Sequence, residues 1–419
     1  MPIRSRLFVV MAVLGSSLLF GGWLLGRGLR AGAHGEVDGE RLFDQVVEHV
    51  RRYYVDSVST PELFDKALVG MMEELGDPHS LYLKPDRLKR LNELTTGNYT
   101  GLGVQVDIRD GWPTVLAPLP GGPAERAGLQ SGDRVIEVGG KSTRGLTGDE
   151  VRGLLRGPVG SDVDLVIERA GSSTPIPVRV TRGEIHRRAV RRAALLEGGV
   201  GYVDVDVFSD STQLEVSRAI DSLTTAGMTS LVLDLRGNLG GLLAQGVGVA
   251  DLFLERGMTI VSIRGRTPEA NATFTDSHGQ RWPDLPLVVL VDDGSASASE
   301  IVAGALQDHD RALLVGRTTF GKGSAQSLFP TTTGGALKLT TARWYTPSGR
   351  SIDRRRGEDG DTTTDADRPR FKSDAGRTIL GGGGIIPDVV AGDTAQSPQE
   401  LALAGALGKR IPEFRDALT

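Results

Sequence analysis

The sequence predicts an α/β core with a small helical region ahead of it and a β-rich module inserted between the two. Three observations carry that expectation. From Glu184 onward short apolar runs alternate with segments of helical period, the pattern of strands and helices layered on one sheet. From Tyr99 to about Arg182 the runs shorten to strand length and are broken by Gly and Pro, as in a compact β-rich unit. From Glu40 to about Thr96 the apolar residues fall at helical spacing, with no sign of alternation.

In chain order, Leu42, Phe43, Val46, Val47, Val50 and Tyr53 mark a first helix, and Leu63, Phe64, Ala67, Leu68 and Met71 a second. Leu75-Gly76-Asp77-Pro78 ends the second, Gly making the terminal turn and Pro blocking continuation. Within the module, strands are expected at Gly103 to Ile108, Thr114 to Ala117, Arg134 to Val138, Val163 to Arg169 and Ile176 to Thr181. Short helices fall near Ala124 to Ala127 and Gly148 to Leu155. In the core, strands at Gly201 to Phe208, Ser230 to Asp234, Thr259 to Ile263, Leu287 to Val291 and Ala312 to Val315 are expected. Helices from Ser211 to Ala226, near Leu243 to Leu254 and near Ser299 to Gln307 separate them, and Asp210, with Gln213 three residues on, is the expected N-cap of the first. Arg354 to Arg370 is charged and turn-rich, a surface loop. The 419 residues thus divide into 1–33, a helical region 36–97, the module 98–182, the core 183–392 and a C-terminal helical tail 393–419.

Arg4 and Arg6 precede an uncharged run from Leu7 to Gly26, about the length a helix needs to cross a bilayer, with the basic flank favouring a cytoplasmic N-terminus. Ala31-Gly32-Ala33 follows, the small-residue pattern of a signal-peptidase site, so residues 1–33 are either a cleaved signal peptide or a retained anchor. A formal charge of -5 with 24% charged residues argues against a nucleic-acid surface. With no cysteine in the chain, thiol catalysis, thiolate-bound zinc, disulfides and lipidation on cysteine are excluded, and any nucleophile is another residue.

Three segments carry chemistry. Asp293-Gly294-Ser295-Ala296-Ser297-Ala298-Ser299-Glu300 lies between an apolar strand and a helix, where small residues let a hydroxyl protrude beside helix-start N–H groups. As residues alone, Ser295, Ser297 and Ser299 are comparable candidates, and a plain N-cap loop explains the same composition. Thr319-Phe320-Gly321-Lys322-Gly323-Ser324-Ala325-Gln326 places a lysine between glycines, and a desolvated lysine can accept a serine proton. A phosphate loop is the alternative, but the position after Lys322 is Gly323 and lacks the hydroxyl that would hold magnesium. Val232-Leu233-Asp234-Leu235-Arg236-Gly237-Asn238-Leu239-Gly240-Gly241 is a strand entering a Gly-rich turn, which lets an N–H approach a reacting carbonyl. Asp234 and Arg236 read as braces for that turn.

In this order, with Lys322 twenty-five residues beyond Ser297, these segments resemble the carboxyl-terminal processing peptidases, the tail-specific proteases of peptidase family S41. The resemblance runs from Glu40 to Val390 and takes in Asp77-Pro78-His79-Ser80, Gly101-Leu102-Gly103, Thr346-Pro347-Ser348-Gly349-Arg350 and Gly384-Ile385-Ile386-Pro387-Asp388. It implies a crotonase-like and ClpP-like protease core with an inserted PDZ domain. It also implies Ser297 as nucleophile, Lys322 as general base, Gln326 orienting the lysine, and an oxyanion hole from the Ala298 amide with Gly240 or Gly241. Leu239 departs from the family, which usually has proline there, and His79 is read as structural. Tyr99 to Val104 resembles a PDZ carboxylate-binding loop, and Pro123 to Asp133 the segment with its short helix. Gly101, Leu102, Gly103 and Val104 would then hold a substrate's C-terminal tail, with apolar side chains at Leu102 and Val104 favouring apolar tails. The expected function is cleavage of bacterial envelope proteins from the periplasmic side of the inner membrane, anchored by residues 7–26. No metal or organic cofactor and no nucleic acid are implied. A lipoprotein adaptor and a homodimer are further expected partners, and a catalytically idle tail-binding scaffold is the alternative.

Overall fold

A computed structural model describes residues 36–354 and 368–392. The expected signal or anchor (1–33), most of the loop 354–370 and the C-terminal tail (393–419) lie outside the described residues. No described helix is long and apolar enough to cross a membrane.

The chain forms two compact units, one up to Tyr82 and one from Leu83. The first holds helices α1 (Glu36–Tyr53) and α2 (Thr60–Glu74). Ser59 caps α2 by accepting from the Glu62 N–H, Pro61 sits in its first turn, and Gly76 at φ +65° closes the helix, as the Gly-Asp-Pro signal predicts. Asp77 then turns the chain by accepting from the His79 N–H (3.0 Å) and the Ser80 hydroxyl (2.5 Å).

The second unit opens with α3 (Pro85–Thr96) and enters the inserted module through β1 (Asn98–Gly101). The module has strands β2 (Val104–Arg109), β3 (Trp112–Pro118), β4 (Arg134–Val138), β5 (Asp162–Glu168) and β6 (Ile176–Thr181), with helices α4 (Pro123–Arg126) and α5 (Gly148–Leu155). All pairs are antiparallel, in spatial order β2-β3-β4-β5-β6. Their alternate residues Val115, Val135, Leu165, Ile167 and Val180 meet Ala124, Leu129 and Val151 in a core of the module's own. The chain leaves through β7 (Gly183–His186), which pairs with β1, so the module hangs on a two-stranded ribbon.

The remaining core is built on strands β8 (Val190–Leu196), β9 (Val200–Val205), β10 (Ser230–Asp234), β13 (Leu287–Val291), β14 (Leu313–Gly316) and β17 (Val389–Val390), in that spatial order. Apart from the antiparallel β8, every pair is parallel. Such strands are buried on both faces and read as continuous apolar runs; Val203, Leu233, Val289 and Leu314 form one fully buried row in register across four of them. Helices α6 (Thr212–Thr225), α7 (Leu243–Asp251) and α8 (Ala298–Asp308) are the crossovers, and α8 is buried along its whole length. A second, antiparallel sheet joins β15 (Ser324–Pro330), β16 (Ala336–Tyr345), β11 (Thr259–Gly265) and β12 (Ala272–Thr275).

Most of the sequence-read elements fall within a few residues of these. Two expectations are corrected, and one pair of strands is new. Ser211, not Asp210, is the N-cap of α6, and the Gln213 N–H is satisfied from afar by Gln245 Oε1 (2.9 Å). The strand expected to reach Phe208 ends at Val205, because Phe208 turns inward, fully buried, to bridge Gly241. The pair β15 and β16 falls in a mixed polar stretch with only weak alternation, which hid it from periodicity.

Candidate active site

Strands β10, β13 and β14 are parallel neighbours. Their C-terminal ends therefore lie at one edge, and the three loops that follow them are the three chemistry-bearing segments. This is where open parallel sheets place their sites.

The first loop is stiffened from below. Asp234 is nearly buried and accepts from the Arg236 main-chain N–H (3.0 Å), Arg236 Nη2 (2.6 Å) and the Tyr202 hydroxyl (2.7 Å). Burial works to raise its pKa, but the bonds from Arg236 and Tyr202 outweigh that and hold it below the usual carboxylate value. Asn238 is the staple: Nδ2 donates to the Val205 carbonyl (2.7 Å), Oδ1 accepts from the Gly240 N–H (2.8 Å), and its carbonyl accepts from the Ala296 N–H and the Ser299 hydroxyl, both 2.9 Å. Gly240 stands at φ +91°, and a Cβ there would lie 2.5 Å from the Ala296 carbonyl oxygen and 2.9 Å from the Ala298 nitrogen. Only glycine allows the two loops to touch.

The second loop carries the three serines, and the structure separates them. Ser295 and Ser299 are fully buried, with hydroxyls donating to the carbonyls of Leu235 (2.8 Å) and Asn238 (2.9 Å). Ser297 is half-buried and lines a cavity. It adopts φ +56°, ψ -111° at the start of α8, a conformation that costs a non-glycine residue on the order of 1–3 kcal/mol and is found where a nucleophile is pushed out of a strand-to-helix turn. The Gly240 N–H is taken by Asn238, whereas the N–H groups of Gly241 and Ala298 have no acceptor among the described residues.

The third loop leads from β14 through Lys322 into β15. A strand, not a helix, follows the lysine, so the helix N-terminus that a phosphate loop uses is missing. Glu300, in the first turn of α8, is fully buried between the second and third loops. Its Oε2 accepts from the N–H groups of Ser297 (2.8 Å) and Lys322 (2.9 Å), and its Oε1 from the Gly321 N–H (2.7 Å) and the Thr319 hydroxyl (2.6 Å). Burial raises its pKa, against the pull of these four donors. Glu300 reads in the sequence as a helix-start residue; nothing local signals a reach across some twenty residues.

Ser297, Lys322, Gln326, Gly240 and Gly241 all line one cavity of about 650 Å³, whose wall also carries leucines of α3, the Gly-rich turn and β15, Trp344, and the charged Arg187, Asp206 and Lys338. Ala298 is buried immediately beneath. The Gln326 amide nitrogen donates to Ser324 Oγ (2.9 Å) and Thr340 Oγ1 (3.3 Å).

Gly101, Leu102, Gly103 and Val104 line a separate groove of about 420 Å³ between β2 and α5. Val104, Val106 and Ile108 share one face of β2 and look across to Val151 and Leu155. Leu102 lines the groove but is 2% exposed and packs in the module's core, and Val106 and Ile108 line the groove beside it. Gly103, at φ +69°, would place a Cβ 2.9 Å from Ile185 Cδ1. Arg156, unremarked in the sequence, lies on the groove and pairs with Glu93 of α3 (2.6 Å).

The chain is similar to known proteins in both the core and the inserted module. The model of peptidase family S41 matches residues 199–363 and that of a PDZ domain residues 114–169. A carboxy-terminal-processing protease of Bartonella bacilliformis is 40% identical over 314 residues, 74% of this chain and 71% of that one. The carboxy-terminal processing protease CtpA of Bacillus subtilis is 33% identical over 358 residues, 84% and 76% of the two chains. A solved photosystem II D1 C-terminal processing protease is 31% identical, with a TM-score of 0.44 over 83% of this chain and 86% of that one. The likeness to the two bacterial proteases spans most of their lengths and takes in both the core and the inserted module, and the chain belongs to peptidase family S41, the carboxy-terminal processing serine proteases, with a PDZ domain ahead of its catalytic core.

Proposed function

We propose that the protein is a serine endopeptidase that captures C-terminal tails of envelope proteins in its PDZ groove and cleaves them with a Ser297–Lys322 dyad. The observation that carries this reading is the shared cavity: the one serine of three whose hydroxyl donates to no main-chain carbonyl lines it together with Lys322 and Gln326. Ser297 Oγ attacks the scissile carbonyl while the Lys322 amine takes its proton. With its amide nitrogen engaged by Ser324 and Thr340, Gln326 offers its carbonyl oxygen to orient that amine. The oxyanion is held by the Ala298 and Gly241 N–H groups, Gly241 being preferred to Gly240 because the Gly240 N–H already serves Asn238. Lys322 passes the proton to the leaving amine, and a water molecule activated by the same lysine releases the acyl-enzyme. The tail carboxylate is received by the main-chain N–H groups of Leu102 and Gly103, and the tail adds as a strand beside β2.

The setting follows from residues 7–26, which anchor or export the chain so that it works on the periplasmic side of the inner membrane; N-terminal sequencing and fractionation of the native protein decide between the two. Exposed Leu42, Val46, Tyr53 and Met71 of the first unit are the proposed surface of a homodimer, read by sedimentation of the chain from residue 36. A lipoprotein adaptor rests on family likeness alone.

The deciding experiment incubates the chain from residue 36 with an unfolded reporter ending in apolar residues, beside Ser297→Ala and Lys322→Ala. The parent should cleave, and each variant should lose about a thousandfold or more in kcat. Equal cleavage, or none, by all three would overturn the protease reading and leave the tail-binding scaffold.

A further inference from the structure

Glu300 is the most unexpected polar group in the core. A carboxylate removed from water is costly unless its charge is met by donors, and capping the first turn of α8 requires only one of the four donors it has. Its other bonds leave the helix altogether. Gly321 stands at φ +87°, a conformation in which successive main-chain N–H groups converge on one anion, and those of Gly321 and Lys322 converge on Glu300. A side chain at Gly321 would meet Arg354 Cβ at 2.9 Å and the Gly384 nitrogen at 3.0 Å, so this backbone course is built in. The remaining donors are the Ser297 N–H and the Thr319 hydroxyl. Thr319 Oγ1 itself accepts from the Ile385 N–H (2.7 Å), which directs its proton to Glu300. All four neighbours are therefore donors, and the site is made for an anion.

Resting on the dyad reading, we propose that Glu300 is a positioning residue that sets the distance between nucleophile and base. A single oxygen, Oε2, accepts from the main chain of Ser297 and of Lys322, the two residues whose side chains must exchange a proton. It ties together two loops that leave different strands, adding to the Phe320 N–H bond to the Ser295 carbonyl (3.0 Å) and the Arg317–Asp293 pair a link at the nucleophile and the base themselves. Proton transfer tolerates little slack, and a displacement of about 1 Å can cost on the order of a hundredfold. In Glu300→Gln one oxygen becomes an NH2 group facing N–H donors; in Glu300→Asp the charge stays and the reach shortens by one carbon.

The test measures kcat and KM on the tail-bearing reporter for the parent, E300Q, E300D and Ser297→Ala, with melting curves and tail-peptide affinity as checks of folding. The expected result is a variant that still melts in one cooperative transition, at a lower temperature than the parent, and binds the tail normally, with kcat down about a hundredfold and KM within twofold. A folded variant with kcat within threefold of the parent, or one whose loss lies in KM, overturns the assignment. So does failure of both variants to fold, since Glu300 would then serve the fold rather than the dyad. If the parent and Ser297→Ala cleave alike, the protease reading has failed first and the positioning role falls with it, an outcome the serine control reads separately.

Discussion

Three serines spaced two apart look alike in a sequence, yet each hydroxyl meets a different environment. Ser295 and Ser299 are held by carbonyls some sixty residues away, and only Ser297 is turned toward the cavity. A comparable division of labour governs Asp234, which titrates as part of a brace. Its folded-state pKa is depressed, so its contribution is fully present above the unfolded carboxylate value of about 3.9 and is lost as pH falls through the lower folded value. Asp234→Asn should therefore cost about 2 kcal/mol at pH 7, measured by urea unfolding, and the gap to the parent should close as pH drops below about 4. A gap that stays constant from pH 7 to pH 3 would show that the ionised form has no part in the brace.

The motifs around Arg350 and Asp388, which in the sequence carry only a family likeness, turn out to anchor one helix. At the C-terminal end of α8, Asp308 pairs with Arg350 at 2.7 Å, both essentially unexposed. Gln307 accepts from Arg350 Nη2 (2.7 Å) and donates to the Ile386 carbonyl (2.8 Å) and Asp388 (3.0 Å). The helix that presents Ser297 at its start is thus bolted at its end to the segments that carry Arg350 and Asp388. Arg350→Met leaves the Asp308 carboxylate buried without its cation, which typically costs about 3–5 kcal/mol; chemical denaturation reads this. A loss under about 1 kcal/mol would mean that water enters the site and replaces the arginine.

The second unit contains two cores that share no side chains, one in the PDZ module and one in the protease sheet. The ribbon of β1 and β7 and the Arg156–Glu93 pair join them. Calorimetry should resolve two transitions. A tail peptide at a hundred times its Kd should raise the module's stability by about 2.7 kcal/mol while leaving the protease transition in place. If instead one transition moves as a whole, the groove and the catalytic core form a single cooperative body.

Much of this molecule was legible from residues a few positions apart. Helical and alternating periods, Gly-Pro punctuation and small-residue turns are imposed by neighbours along the chain, so the α/β core, the inserted module and the family were all readable. The hairpin of β15 and β16 was not, because its alternation is weak, and the cap at Ser211 and the burial of Leu102 were not, because partners distant in the chain decide them. The same holds for the site. The family resemblance could nominate Ser297 and Lys322, but which hydroxyl is left over from the fold, which glycine keeps its N–H and what Glu300 holds depend on three loops meeting at one edge of a parallel sheet. Strand order brings those loops together, and strand order is a property of the packed chain, because each crossover helix sets how far apart in sequence two touching residues lie.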